Sequence, residues 1–426
     1  MKKHLVKLET ILTYLFLITL PWQTRYIFYN GMLNDKYWEY GTIALYITGC
    51  IAILLLIIYF IRVKKLSLKP LWAIFCLALG IVSLYISSEK LLTLTHIIWL
   101  LIAGGIFLII KNSLLSKKQL LTTFIIGAAL AGFFAIWQFS AQIAPSSKYL
   151  GLATHNPSEL GVSVIEAVAP DGVIERWLRA YGPLDHPNML GGYLAIAFIC
   201  ILFLARERNN NKTNKADLVL YISLIGITGG LIVSFSRTAW MAAVLSTLIF
   251  IFINPKQIKA TLQKIWPILG VSIFVAALFA IPYYYLFIPR FTSDSRLENI
   301  SLAERQAGYS ESLQIIKTHP VIGSGLGTYG LQIYNVNPKQ LVWYYQPVHN
   351  SFLLILCELG LAGLILVLSA LYSFIRKINT QSRTFTYSIV AGLIVIALFD
   401  HWLLSLHFGP LLGAIALGLA SNNNVD

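Results

Sequence analysis

His349 and Asn350 stand at the mouth of a long apolar stretch, QPVHNSFLLILCELGLAGLIL, residues 346–366. A helix entering lipid places its first turn where head groups meet water, and an imidazole there can take up or release a proton. A lone interfacial histidine can equally be an anchor, so other residues must decide. Arg237 lies in SFSRTAW between two apolar runs, with Ser234, Ser236 and Thr238 beside it and no acid nearby in sequence. A guanidinium so placed calls for an anionic ligand, unless it snorkels to lipid phosphates. Arg305 follows the motif SLAE, and Arg179, Asp185, His186 and Asn188 stand within RAYGPLDHPNMLGGYL. Guanidinium forks grip phosphate oxygens in pairs and can stabilise a diphosphate leaving group, while a neutral imidazole takes the proton of an attacking hydroxyl. A helix N-terminus beneath His349 disfavours the imidazolium and favours nearby anions, which suits both tasks.

The composition says what must position these groups. Of the 426 residues, 57% are hydrophobic and 12% charged, and the mean hydropathy is +0.71, far above a soluble domain. The expectation is an all-α polytopic membrane protein with about twelve transmembrane helices, near residues 8–21, 41–61, 70–86, 91–110, 120–143, 187–205, 217–234, 238–253, 266–288, 349–375, 385–404 and 406–420. The start MKKHLVK is basic, but PWQTRY follows in place of a small-residue cleavage site, so the first span reads as uncleaved. Alternate connectors hold most of the 32 Lys and Arg, among them Lys2, Arg62, Lys64, Lys65, Lys69, Lys117, Lys118, Arg206, Lys212, Lys256 and Arg376. By the positive-inside rule these connectors and both termini are cytoplasmic. The net charge of +14 then reflects topology and gives no support to nucleic-acid binding. Cys50, Cys76, Cys200 and Cys357 all fall in apolar spans without metal-ligand spacing and read as small core hydrophobes with no disulfide.

On this scheme residues 1–143 form a scaffold of about five spans, 144–186 an outer loop, 187–288 spans six to nine, 289–348 a large outer loop and 349–426 the last three spans. The aromatic loop 22–40 reads as an interfacial belt. A continuous helix from Leu218 to Phe252 would be roughly 50 Å long, too long for a hydrocarbon core of about 30 Å, so the chain must turn near Arg237. In the large loop, Ser301 and Glu304 form a capping pair that predicts the start of an amphipathic helix, with Leu302, Leu313 and Ile316 against the bundle and an end at Thr318–Pro320. The glycine-rich VIGSGLGTYG after it has neither the preceding strand nor the following lysine-bearing helix of a phosphate loop, and reads as tight packing. Glu358 falls about 13 Å down the His349 helix in an apolar run, where it needs a hydrogen-bonding neighbour or serves a proton path. Asp400, His401 and His407 read as structural groups near the outer end of the last spans, with a second site as the alternative. Arg179, Arg237, Arg305 and His349 come from four separate outer elements that the charge-derived topology brings to one membrane face.

The stretches HNSFLLILCELGLAGL, SFSRTAWMA, RAYGPLDHPNMLGGYL and SLAERQAGYSESLQIIKTHPVIGSGLGTY together resemble the O-antigen ligase and O-antigen polymerase superfamily of bacterial membrane glycosyltransferases. The resemblance runs by motif from about Arg179 to Gly363. It implies a GT-C type helical fold in the bacterial inner membrane and metal-independent, inverting transfer of a glycan from undecaprenyl diphosphate to an acceptor hydroxyl, with no cofactor. By the resemblance His349, Arg305 and Arg237 are catalytic, and Arg179, His186, Asn188 and Asn350 bind substrate. The implied partners are the lipid-linked glycan donor, a lipid A core or glycan acceptor and membrane lipids. Ligase, polymerase and protein O-glycosylation remain open within this class. A transporter or flippase of lipid-linked saccharides would also need arginines in a cavity, but it would place them nearer the bilayer midplane and show two repeated halves.

Overall fold

The computed structural model describes residues 2–63, 70–208, 215–292, 296–378 and 382–424. The expected basic connector residues Lys64, Lys65, Lys69 and Lys212 lie outside the described residues. Each apolar segment of the sequence forms a helix: Lys2–Thr19, Ile47–Arg62, Pro70–Ile86, Lys90–Lys111, Lys117–Ala141, Pro187–Glu207, Lys215–Val233, Arg237–Phe252, Ile258–Ala280, Ser351–Arg376, Arg383–Phe399 and Phe408–Ser421. Five are long and apolar enough to cross a membrane by length and composition: Lys90–Lys111, Lys117–Ala141, Pro187–Glu207, Pro255–Ala280 and Ser351–Arg376. The chain is a multi-pass, mostly helical membrane protein.

The helix Pro187–Glu207 is apolar all round, and such a helix belongs inside a bundle. It is the most enclosed of the long helices, packed against the helices that begin at Lys117, Lys215, Arg237, Ile258 and Arg383. Cys200 is buried on it and Cys357 is buried too, whereas Cys50 and Cys76 are exposed on outward faces; all four are free. The reading of Cys50 and Cys76 as core residues is therefore corrected, since an apolar span hides only the side that meets other helices.

The fold is not purely helical. The stretch 22–40, expected to be an interfacial belt, and the start of the span expected at 41–61 together form strand Arg25–Tyr29 paired antiparallel with Ile43–Tyr46, and inside it Met32–Leu33 pairs with Lys36–Tyr37. Asn34 and Asp35 turn the inner hairpin with φ of 51° and 59°, the left-handed pair that a two-residue hairpin loop demands. In the 144–186 stretch Val164–Val168 pairs with Ile174–Leu178. Glu166 on that hairpin accepts from Arg296 at 2.8 Å, which ties it to the helix Arg296–Thr318. This helix contains Ser301, so the expected cap lies inside it, and Leu302 and Leu313 are exposed while Glu298, Ser312 and Ile315 are buried. Its end at Thr318 agrees with the sequence reading.

Two features hold the segment before His349. Trp38 of the first hairpin donates its indole N–H to the Tyr345 carbonyl at 2.9 Å, within a cluster that includes Leu33, Ile315, Tyr329, Ile333 and Val348. The second is a break in the helix Ser351–Arg376 at Gly360, where φ is +64°. The glycine-rich stretch fills that break: Ser324 and Gly325 donate their N–H groups to the carbonyls of Cys357 and Glu358 at 2.9 Å each, while Leu361 and Ala362 donate to those of Pro320 and Val321 at 3.0 Å. Glu358 accepts from the Tyr329 N–H at 3.3 Å, so its partner is the start of the helix Tyr329–Val336.

A Cβ on Gly360 would lie 2.3 Å from the Val321 carbonyl carbon. Backbone strain and that clash together should make Gly360→Ala cost about 2 kcal/mol or more. Gly270→Ala, which meets open space, should stay within about 1 kcal/mol of the parent. Thermal unfolding midpoints in detergent would compare them; equal midpoints would mean the break is not a stability determinant.

Candidate active site

The site is assembled from helix ends and breaks. Ser236 caps the helix Arg237–Phe252 through its hydroxyl, which accepts from the Ala239 N–H, and Phe235 before it takes a left-handed backbone with φ +48°. The Phe235 ring is buried against Phe139, Phe287 and Trp240, which holds the turn in place. The turn expected near Arg237 is therefore present. His186 caps the helix Pro187–Glu207, and Asn350 caps Ser351–Arg376 by accepting from the Leu353 N–H at 3.0 Å.

At the centre lies Asp400, in extended backbone just after the helix Arg383–Phe399. Its Oδ1 stands 3.6 Å from Nδ1 of His349 and accepts the His401 N–H at 2.9 Å, and its Oδ2 accepts from Asn188 at 2.9 Å. Ser351 donates its hydroxyl to the Asp400 carbonyl at 2.8 Å, fastening the two helix ends together. The His349 and His401 rings lie 5.1 Å apart. Burial works against ionising Asp400, but the neighbouring His349, followed by His401 and His186, outweighs it and holds the carboxyl well below its ordinary range. Asp400 is thus an anion aimed at His349 Nδ1, which leaves Nε2 for a substrate. Apo hydrogen bonds of this kind are often long and tighten when substrate binds.

Asn188 continues the chain of contacts, accepting from Arg179 Nη2 at 2.7 Å while Arg179 Nε donates to the Ser234 carbonyl at 3.0 Å. Burial, reinforced by Arg290, opposes the charge on Arg179 and lowers its pKa. His186 Nδ1 accepts from the Asn188 N–H at 3.1 Å, which makes it the neutral tautomer with hydrogen on Nε2, facing Ser163 Oγ at 3.1 Å. Both its nitrogens are engaged within the protein, so His186 and Asn188 frame the site from behind. Burial and then the charge of Arg179 push His186 down to about 3; burial takes His401 to about 3 as well.

Arg237 has an acid partner after all. Its Nη2 donates to Glu298 at 2.7 Å and its Nη1 to the Arg290 carbonyl at 3.1 Å; Glu298 pairs also with Arg290, which donates to the Phe235 carbonyl at 2.7 Å. The inference from an unpaired Arg237 is corrected, because a carboxylate far along the chain folds onto it. Arg305 is half-buried and has no hydrogen bond or ion pair among the described residues, and it lies near enough to feel both Arg290 and His401. Of the four guanidiniums, Arg237 and Arg290 share Glu298, Arg179 reaches Asp400 through Asn188, and Arg305 pairs with no carboxylate among the described residues. The surplus of two positive charges suits a diphosphate.

Sequence reasoning missed Arg290 and Glu298 and set Asp400 and His401 aside. The available signal was an acid and a histidine side by side at the end of an apolar run, where ionisable groups are costly. His407 belongs elsewhere, stacked on Tyr46 at 4.2 Å. His349, Asp400 and His401 each offer one ligand atom, all within 4.8 Å of one another, a spacing a divalent ion could bridge.

Residues 222–368 match the family described as O-Antigen ligase, a run that includes Arg237, Arg290, Glu298, Arg305 and His349. No curated protein matches the chain. The matched run supplies the base candidate and three of the four guanidiniums, while Arg179, His186, Asn188 and Asp400 reach the site from outside it.

His186 and His401 are harder to protonate in the fold than in the unfolded chain, where imidazole titrates near ~6.5. Between about pH 6.5 and 3 the unfolded chain therefore binds more protons, and stability falls as the pH drops through that window. The unfolding midpoint in detergent should fall from pH 7 to pH 5, and His186→Asn, which can still cap the helix, should flatten that slope. An unchanged slope would argue against a neutral buried His186.

Proposed function

We propose that this protein transfers a glycan from undecaprenyl diphosphate to an acceptor hydroxyl with inversion and without a metal, as an O-antigen ligase-type glycosyltransferase. The observation that carries the reading is His349 Nδ1 set 3.6 Å from the Asp400 carboxylate beside a cluster of four guanidiniums. His349 Nε2 takes the proton from the acceptor hydroxyl, and Asp400 orients the ring and steadies the imidazolium that forms. The acceptor oxygen bonds to the anomeric carbon as the bond from that carbon to the diphosphate oxygen breaks on the opposite face. The bonding pair goes to the diphosphate, where Arg305 and Arg237, with Arg290, stabilise the growing charge. Arg179, His186, Asn188 and Asn350 line and support the approach.

The same reading gives the chain twelve spans of GT-C type in the bacterial inner membrane. Both termini are cytoplasmic, the outer loops cover the site on the periplasmic side, and the domain limits are those read from the sequence. The finished-chain ligase is preferred to the repeat-unit polymerase because the loop 289–348 is moderate in size.

Purified protein in liposomes with a defined undecaprenyl-diphosphate repeat unit, with and without lipid A core, would test this by mass spectrometry of the products. One addition that needs the core lipid is expected; a ladder without it would mean polymerase, and no released diphosphate lipid would favour a transporter. His349→Ala should lower turnover about a thousandfold, and Asp400→Asn about tenfold or more. Arg305→Lys and Arg237→Lys keep the charge and lose the fork, so each should cost about tenfold; wild-type turnover in both would sink the bidentate role. Activity should survive excess chelator, whereas loss reversed by a divalent ion would assign His349, Asp400 and His401 to a metal.

A further inference from the structure

A cavity of about 250 Å³ is lined among others by Arg25, Glu39, Gln138, His155, Tyr181 and Asp185. A water occupies about 30 Å³ in the liquid, so there is room for one sugar ring and some of its hydration. Most polar groups of its wall are satisfied within the protein. Arg25 is paired with Glu39 and donates to the Tyr46 hydroxyl at 3.1 Å, and Glu39 accepts from Tyr37 at 2.7 Å. Gln138 accepts from the N–H groups of Tyr181 at 3.1 Å and Gly182 at 2.7 Å and donates to the Gly182 carbonyl. His155 lies flat on the Tyr181 ring at 3.8 Å.

Asp185 differs. It lines the cavity, is exposed, and has no hydrogen bond or ion pair among the described residues. Burial and then Glu39 raise it to about 6, with Arg25 opposing, so at pH 7 it is chiefly an acceptor. With Arg25 already neutralised by Glu39, the cavity carries one net negative charge. That repels a diphosphate and favours hydrogen-bond donors.

Two pairs of chain neighbours lead from the cavity wall to the candidate site. Asp185 directly precedes His186, which frames Asp400 through Asn188. Tyr40, next to Glu39, meets the His401 ring edge-on at 5.6 Å, and burial together with the charges of Asp400, Glu39 and Asp185 raises its hydroxyl. Tyr40 thus joins the Glu39 wall of the cavity to His401. Inversion requires the acceptor to come from the side away from the leaving diphosphate, and the acidic side is the one without the guanidinium cluster.

Resting on the transferase reading above, we propose that this cavity is an acceptor subsite: it holds one uncharged, hydroxyl-bearing sugar ring, with Asp185 accepting from its hydroxyls, and so aims the acceptor hydroxyl at His349. Asp185 is a positioning residue, and donor binding does not depend on it.

The test uses the full chain in nanodiscs with methyl glycosides of glucose, galactose and N-acetylglucosamine, read by saturation-transfer NMR in the absence of donor. At least one glycoside should bind the wild type, Asp185→Asn should weaken it about tenfold, as expected for a lost hydrogen bond to a charged group, and His349→Ala should bind normally. Ala153→Trp, in the exposed part of the lining, should block binding even if Asp185→Asn folds poorly. In the liposome assay Asp185→Asn should raise the acceptor KM with kcat at saturating acceptor and donor KM held. Failure of every glycoside to bind, equal binding by both cavity variants, or a rise in donor KM alone would overturn the subsite. Glycoside binding lost in those variants, in a protein that transfers nothing, would keep the cavity as a sugar site and remove the transferase reading instead.

Discussion

A backbone carbonyl released by a break in a membrane helix has no water to turn to and must find a donor within the protein. This chain has several such breaks, and the candidate site is built where they are mended. The Ser234 carbonyl receives Arg179 and the Phe235 carbonyl receives Arg290. The Asp400 carbonyl receives the Ser351 hydroxyl, and at Gly360 the freed groups pair with residues 320–325. Two of the guanidiniums that would meet an anion therefore also mend the Ser234–Ser236 turn, so their orientation is fixed by the fold before any ligand arrives.

The buried ion pairs follow the same economy. A buried carboxylate is tolerated only with good partners, and Glu298 has Arg237 and Arg290 while Asp400 has His349, the His401 N–H and Asn188. Both acids hold a cation or a proton acceptor on the substrate side and leave one further group, Arg305 or His349 Nε2, uncommitted. That combination gives a rigid frame with two reactive edges.

Much of this was legible in the sequence where the signal was local. Apolar runs gave the twelve helices, the excessive length from Leu218 to Phe252 required the turn at Arg237, and Pro187 and Asn350 marked helix entries. The glycine-rich loop read correctly as packing. What escaped depended on distant partners: Glu298 lies 61 positions from Arg237, and Asp400 lies 212 from Asn188. The hairpin at residues 25–46 escaped for another reason, since its alternation is short and its aromatic residues mimic an interfacial belt. Leu302 and Leu313 are apolar but exposed, because the face of this helix that packs is the one carrying Ser312 and Ile315, a choice made by partners distant in sequence.

The clamp between Trp38 and the Tyr345 carbonyl joins residues 307 positions apart. Its consequence concerns modularity. The matched run 222–368 holds the proposed base and three of the four guanidiniums, yet the hairpin that braces its last loop, the Arg179–Asn188 strut and the Asp400 carboxylate all belong to other parts of the chain. A graft of that run into a related host would inherit the host's brace, strut and carboxylate, and would work only where those surfaces already fit. The unit on which descent with modification acts is accordingly the whole bundle, and drift in the hairpin at 25–46 should be matched by drift in the loop at 338–348 that it grips.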